Sequence, residues 1–346
     1  MNEEYTQRIK KIDAELKLWL PEVADSIWVK KIFPDIEGKI STDSTQFLTA
    51  PLTDILFRGG KRWRPLLMTL ICETLSGGDS AIRLSPLVEF CHNASLIHDD
   101  IEDESDERRG KPAIHKIYGV DTAVNSGSFL YFLSSSCIDS CNLKNKELFY
   151  GLWADCIRKL HLGQSMDIYW HRNISVVPDI DEYYIMCRMK TGSLARLAVE
   201  LGAYAAEAPK EAAQVLGSAA EMMGVGFQIL DDVKNLTTGI PGKKRGDDVV
   251  EGKKSLPVLL YLHKYPEKRD RIFYFFHEAK INGTHAPEVE DLIETLSSSG
   301  VLSEAEEKGR SLLKQTQDIF NSREFSGCTI NENGLALLDG FLKLIS

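Results

Sequence analysis

The sequence predicts an all-α fold, a single-domain bundle of antiparallel helices over residues 1–346, and three observations carry that expectation. Apolar and small residues recur at steps of three and four. Alternating strand-like runs between turn signals are scarce. Several of the 12 prolines (Pro51, Pro86, Pro178, Pro209, Pro257) stand where a helix would start or stop. No repeat or low-complexity tract marks a domain boundary.

Taken in order, Met1 to Leu20 mixes charged and apolar residues, without the continuous apolar stretch of a signal peptide. From Leu84 the helical period runs through Leu87, Val88, Cys91, Ala94, Ser95, His98 and Ile101. The same period recurs from Leu216 to Leu236. Asn282 to Gly300 reads as a loop pair between short helices, and Ser303-Glu304-Ala305-Glu306 as a capping box opening another helix. No 18-residue apolar run occurs, so no membrane span is expected.

Composition narrows the function. With 43% hydrophobic and 27% charged residues, the chain can bury a sizeable core. A net charge of −10 argues against sequence-independent nucleic-acid binding, which needs clustered cations. Seven cysteines, an odd number without a Cys-x-x-Cys pair, read as reduced residues of a cytoplasmic protein.

Two acidic clusters carry the first chemical signal. Asp99-Asp100-Ile101-Glu102-Asp103 and Asp231-Asp232-Val233-Lys234-Asn235 each follow an apolar run. Asp99 and Asp103, at i and i+4, share one helix face, roughly 5–6 Å apart at Cβ. One such run is usually a solvated helix face. Two of them, each following a buried-looking run, favour hard oxygen ligands for Mg²⁺, which takes few carboxylates and completes its shell with phosphate. No His/Cys metal pattern competes.

The second signal is basic. Arg58, Lys61, Arg62 and Arg64 crowd the segment before Pro65 in an otherwise acidic chain. Alone, this is as readily an exposed basic loop as a phosphate site. Arg108 and Arg109 follow the first acidic cluster, Lys190-Thr191 follows another helical stretch, and Lys243, Lys244, Arg245, Lys253 and Lys254 follow the second. Metal carboxylates flanked by cations suit a diphosphate. Gln228 and His92 share a helix face with Asp231 and Asp99 respectively.

These residues fall in strings that resemble the trans-type isoprenyl diphosphate synthases, all-α enzymes that join isoprenoid diphosphates head to tail. The strings are GGKRWRP at 59–65, HNASLIHDDIEDESDERRGKPAIH at 92–115, GQSMDIYW at 163–170, MKTG at 189–192, FQILDDVKN at 227–235 and EGKKSLP at 251–257. The resemblance is to the eukaryotic-type geranylgeranyl diphosphate synthases in particular. It departs in GGKRxRP, more typical of bacterial members, while Asn235 in place of the commoner Asp occurs in the eukaryotic-type group.

The resemblance implies the isoprenoid synthase fold, a helical bundle around a central cavity, and three Mg²⁺ ions. Asp99 and Asp103 would ligate two, Asp231 the third, with Asp100 and Asp232 in support. Arg108, Lys190, Lys243 and Lys253 would hold the allylic diphosphate (dimethylallyl, geranyl or farnesyl), with Thr191 and Gln228 near its reacting end. Lys244 is an alternative to Lys243. Lys61, Arg64, His92 and Arg109 would hold isopentenyl diphosphate. Ala94 and Ser95 are small one turn before Asp99, which leaves a product tunnel open there. Tyr131, Phe132 and His161 match bulky residues that close it deeper, so a C20 product is expected, with C15 or longer chains as alternatives. A homodimer is implied as well. A class I terpene cyclase would need Ser or Thr and then Glu where Asn235 and Gly239 stand. A non-catalytic synthase subunit would usually lack an intact Asp-rich motif.

Overall fold

The computed structural model describes residues 3–36, 38–239, 244–322, 325 and 327–345. It is almost wholly helical, and its one sheet is a two-stranded hairpin, Glu107–Arg108 with Lys111–Pro112. The chain is organised as two compact units. The first comprises Met1–Asp155, Leu197–Gln214 and Phe325–Leu338, the second Cys156–Arg196, Val215–Glu324 and Asp339–Ser346.

In the first unit the Ser85–Glu102 helix is the central element. Pro86 sits in its first turn, where a missing N–H costs nothing, and Asp103 caps its end. Its face of Leu87, Val88, Phe90, Cys91, Ala94 and Ile97 is fully buried. It packs on Val120–Ser135, Thr42–Phe57 and Trp63–Thr74. Gly202 admits a backbone contact with that last helix, since a Cβ there would stand 2.3 Å from the Met68 carbonyl.

The second unit has its own core, with Tyr183, Ile229, Leu256, Phe276 and Leu292 among its buried side chains. Two expectations change here. Pro287–Ser298 is a three-turn helix rather than a loop, its Val289, Leu292, Ile293 and Leu296 stripe buried. The following helix starts at Val301 after Gly300, whose φ of 79° suits glycine, so Ser303 lies inside it and caps nothing. Apolar periodicity outweighs a polar tetrapeptide in both cases.

All seven cysteines are free, and six are buried. Among the described residues no helix is long and apolar enough to cross a membrane.

Candidate active site

In the first unit the acidic motif ends the Ser85–Glu102 helix. Asp100 is fully buried, and its Oδ1 accepts from Arg108 Nε at 2.8 Å and from Nη2. Asp99 Oδ2 lies 3.7 Å from the same Nη2. Asp100 Oδ2 is buried without a hydrogen-bond partner. Burial works against the Arg108 cation, but Asp100, Asp99 and Asp103 together hold its pKa above the ordinary value.

Arg108 and Arg109 are not on a helix. Arg108 ends the first strand of the hairpin, and Arg109 (φ 55°) and Gly110 (φ 73°) form its turn, both in the left-handed conformation that a tight two-residue turn demands. The turn sends two adjacent arginines to different partners. Arg108 takes Asp100, while Arg109 Nη1 donates to the Ile55 carbonyl at 2.8 Å and to Asn93 Oδ1 at 3.2 Å.

The basic segment divides in the same way. Arg58 is spent structurally, on Asp54 and on the carbonyls of Arg108 and Pro112. Arg62 is 5% exposed and bound to Asp13, Glu89 and the Leu56 carbonyl. Lys61 is exposed, and Arg64 is half-buried with its guanidinium 4.3 Å from the Trp63 ring centre. His92 is held well below its ordinary pKa, first by burial and then by Arg64, Arg109, Arg108 and Arg62, so it is neutral near pH 7. A neutral imidazole ringed by arginines can donate a proton in a hydrogen bond without adding charge.

In the second unit Asp231 is exposed and Asp232 buried, at the end of the Lys210–Thr237 helix. Asp232 accepts from Tyr183 Oη at 2.7 Å and from Gln228 Nε2 at 3.0 Å, and Gln228 Oε1 accepts from Thr191 Oγ1 at 2.8 Å. Burial, then Asp248, pushes the Asp232 carboxyl up to about 7. Lys190 and Thr191 sit in a π-helical turn, Arg188–Gly192. Such turns recur at functional sites because they bulge out of the regular ladder. Here glycines seat it: a Cβ on Gly163 would stand 2.4 Å from Lys190 N, and one on Gly224 2.6 Å from Gly192 Cα.

Lys190 Nζ is 2.5 Å from Asp167 Oδ2. Burial opposes the Asp167 carboxylate, yet Lys190 and Lys253 hold its pKa below the usual range. Lys253 pairs with Glu251 at 2.5 Å and lies 3.8 Å from Asp248. Lys254 is 3% exposed, donates to the Gly252 and Trp170 carbonyls, and is pushed down to about 8 by burial. Lys243 lies outside the described residues.

Sequence reading missed Asp167, Tyr183, Glu89 and Asn93 as members of these networks. The only signal was that Asp167 and Asn93 lie inside quoted strings. The residues expected to form the tunnel floor differ in exposure. Ala94 is buried and Tyr131 stacks on His98 at 5.7 Å, but Phe132 is 68% exposed and His161 is exposed, its Nδ1 2.9 Å from the Ile157 carbonyl. Adjacent residues on a helix diverge by about 100°, so Tyr131 and Phe132 present different faces of it.

A helical fold with acidic motifs on two helix ends and half-buried cations beside them is the arrangement expected of an isoprenoid synthase. The polyprenyl synthetase family model matches residues 45–295, and the chain belongs to that family. Geranylgeranyl pyrophosphate synthase of Neocamarosporium betae is 32% identical over 280 residues, 80% of this chain and 78% of that one. The enzyme of the same name from Penicillium janthinellum is 35% identical over 225 residues, 64% of this chain but only 60% of its own length. Geranylgeranyl pyrophosphate synthetase from Pyrococcus horikoshii superposes with a TM-score of 0.81 at 25% identity, covering 99% of this chain and 96% of that one. The chain is thus a trans-isoprenyl diphosphate synthase.

Proposed function

We propose that the chain, acting as one synthase domain, condenses isopentenyl diphosphate with allylic diphosphates to give geranylgeranyl diphosphate. The observation that carries this is the division of labour in the first unit. Arg108 bonds Asp100 at the Asp-rich helix end, while Arg109 bonds Asn93, the neighbour of His92, and the Ile55 carbonyl. Two separate provisions for anions suit a reaction with two diphosphates; a cyclase needs one.

Mg²⁺ fits this donor set. Carboxylates at two helix ends suit an ion that takes one or two of them and completes its shell with substrate oxygens. The partnerless buried Asp100 Oδ2 leaves the acidic end a further acceptor oxygen beside Asp99. Asp99 and Asp103 would hold two ions and Asp231 a third. When bound, Mg²⁺ neutralises the leaving diphosphate as its C–O bond weakens.

The remaining work falls to the chain. Arg108, Lys190 and Lys253 bind the allylic diphosphate and stabilise the charge it gains on leaving. Lys61, Arg64, His92 and Arg109 orient isopentenyl diphosphate so that its double bond attacks the allylic cation. No side-chain base is assigned, and the released diphosphate takes the proton lost from the adduct. Buried apolar side chains such as Ala94 and Ile97 keep water from the cation.

Two further parts of the proposal concern location. The protein is cytoplasmic, and it works as a homodimer. Val120, Val124 and Phe132 stand in one exposed stripe at helical spacing on Val120–Ser135. A second copy covering that stripe would account for Phe132.

Incubation with labelled isopentenyl diphosphate, each allylic diphosphate and Mg²⁺, followed by product chromatography, tests the activity. A C20 product is expected; cyclised hydrocarbon or no product would overturn it. Arg64→Ala should raise KM for isopentenyl diphosphate by about 10–100-fold, the worth of a charge-assisted hydrogen bond, with the allylic KM little changed. Unaltered isopentenyl diphosphate kinetics would return the basic segment to a structural role.

Ala94→Phe should shorten the product. Ala94 is fully buried and lies five residues before Asp99, about 7.5 Å along the axis, so a ring there blocks the growing chain. An active variant that still makes C20 would show that the chain does not pass this helix.

A further inference from the structure

Glu89 is a buried charge with no role in the scheme above. Its side chain is 3% exposed, and one oxygen, Oε1, accepts from both Arg62 Nη1 at 2.8 Å and Asn93 Nδ2 at 3.0 Å. Asn93 Nδ2 also donates to the Glu89 carbonyl at 2.7 Å, so the amide can face only one way. Its Oδ1 is thereby turned to accept from Arg109 at 3.2 Å.

The other arm is Arg62. Its Nε donates to Asp13 at 2.9 Å and its Nη2 to the Leu56 carbonyl at 2.5 Å. Its backbone is left-handed, φ 46°, at the cap of the Trp63–Thr74 helix. The residue Glu89 grips therefore sets the turn between Lys61 and Arg64. Both arms close on Gly60, where a Cβ would lie 3.2 Å from Arg62 Nη1 and 3.3 Å from Arg109 Nη2. Burial lowers the Arg109 pKa, and Glu89 is the largest influence opposing it.

Neutralising Arg62 alone would not require the bond to Asn93, and a buried ion pair is in general no more stabilising than apolar packing. What the carboxylate adds is a fixed spacing between the Lys61–Arg64 turn and Arg109. We propose that Glu89 is a positioning residue for the isopentenyl diphosphate subsite, holding its two cationic arms in register without touching substrate. This rests on the proposed function.

Two variants test it. Glu89→Gln keeps an acceptor oxygen but loses the charge; Asn93→Ala cuts only the arm to Arg109, and carries the test alone should the first not fold. Each should raise KM for isopentenyl diphosphate by about fivefold or more, with kcat and allylic KM little changed; the melting temperature should hold in Asn93→Ala and fall in Glu89→Gln, where buried Arg62 loses a charge partner. Their effects should combine less than additively, because they break one path. An isopentenyl diphosphate KM within twofold of wild type in both, or both substrates' KM rising together with a lower melting temperature, would overturn the proposal. Should the wild type consume no isopentenyl diphosphate, the functional reading fails on its own. Calorimetry with inorganic diphosphate then decides: weaker binding in the variants sustains the role of Glu89, and equal binding ends it.

Discussion

Asp99→Ala is expected to lower kcat by about three orders of magnitude, and Asp231→Ala by a similar factor, each at saturating Mg²⁺ and with both substrates present. That factor corresponds to about 4 kcal/mol, the scale on which a metal ligand stabilises a departing anion. The structure separates these two residues from their neighbours. Asp99 is partly exposed and Asp231 exposed, so both can reach a ligand. Asp100 and Asp232 are buried and already committed, to Arg108 in one case and to Tyr183 and Gln228 in the other. Because neither Asp99 nor Asp231 is fully buried, alanine at either should leave the melting temperature within a few degrees of wild type. Alanine at Asp100 should lower it, because Arg108 would lose its main partner. Single-turnover rates beside thermal melts distinguish these outcomes. Near wild-type turnover in Asp99→Ala or Asp231→Ala would remove that acidic motif from the reaction.

The motifs and the helices that bear them were legible because both depend on local spacing. Period three-four burial defines the Ser85–Glu102 and Lys210–Thr237 helices, and the acidic strings stand at their ends. What was not legible depends on backbone exceptions. The Arg109-Gly110 turn needs a non-glycine residue at positive φ, which no propensity anticipates. It is nonetheless what separates the partners of Arg108 and Arg109. The π-helical turn at Arg188–Gly192 is equally silent, since it depends on glycines distant in sequence, Gly163 and Gly224. Charge alone also could not sort the basic segment. Arg58 and Arg62 read like Lys61 and Arg64, yet the first two are consumed by Asp54, Asp13 and Glu89. Exposure was no more legible: Tyr131 and Phe132 are adjacent aromatics, yet the first is buried and the second 68% exposed, because neighbours on a helix point about 100° apart.

The second large effect is expected in Lys190→Ala, and it has two separable parts. In the folded wild type Lys190 and Lys253 hold the Asp167 carboxyl below its usual pKa despite burial. A depressed carboxyl contributes stability above its unfolded value of about 3.9, and that contribution is lost as pH falls through the folded pKa. Removing Lys190 leaves burial as the strongest influence, so the pKa of Asp167 moves upward. The variant should then be less stable than wild type by about 3 kcal/mol at pH 7, the cost of a buried charge that has lost a partner. The gap should narrow as pH falls through the raised pKa of Asp167 in the variant, where the carboxylate takes up a proton. Asp167→Asn added to Lys190→Ala should restore most of the melting temperature, because the uncompensated charge is gone. It should not restore use of the allylic diphosphate, whose KM is expected to stay about 10–100-fold above wild type without the Lys190 ammonium. Recovery of both properties in the double variant would mean that Lys190 serves only to neutralise Asp167. Recovery of stability alone would place the ammonium on the substrate.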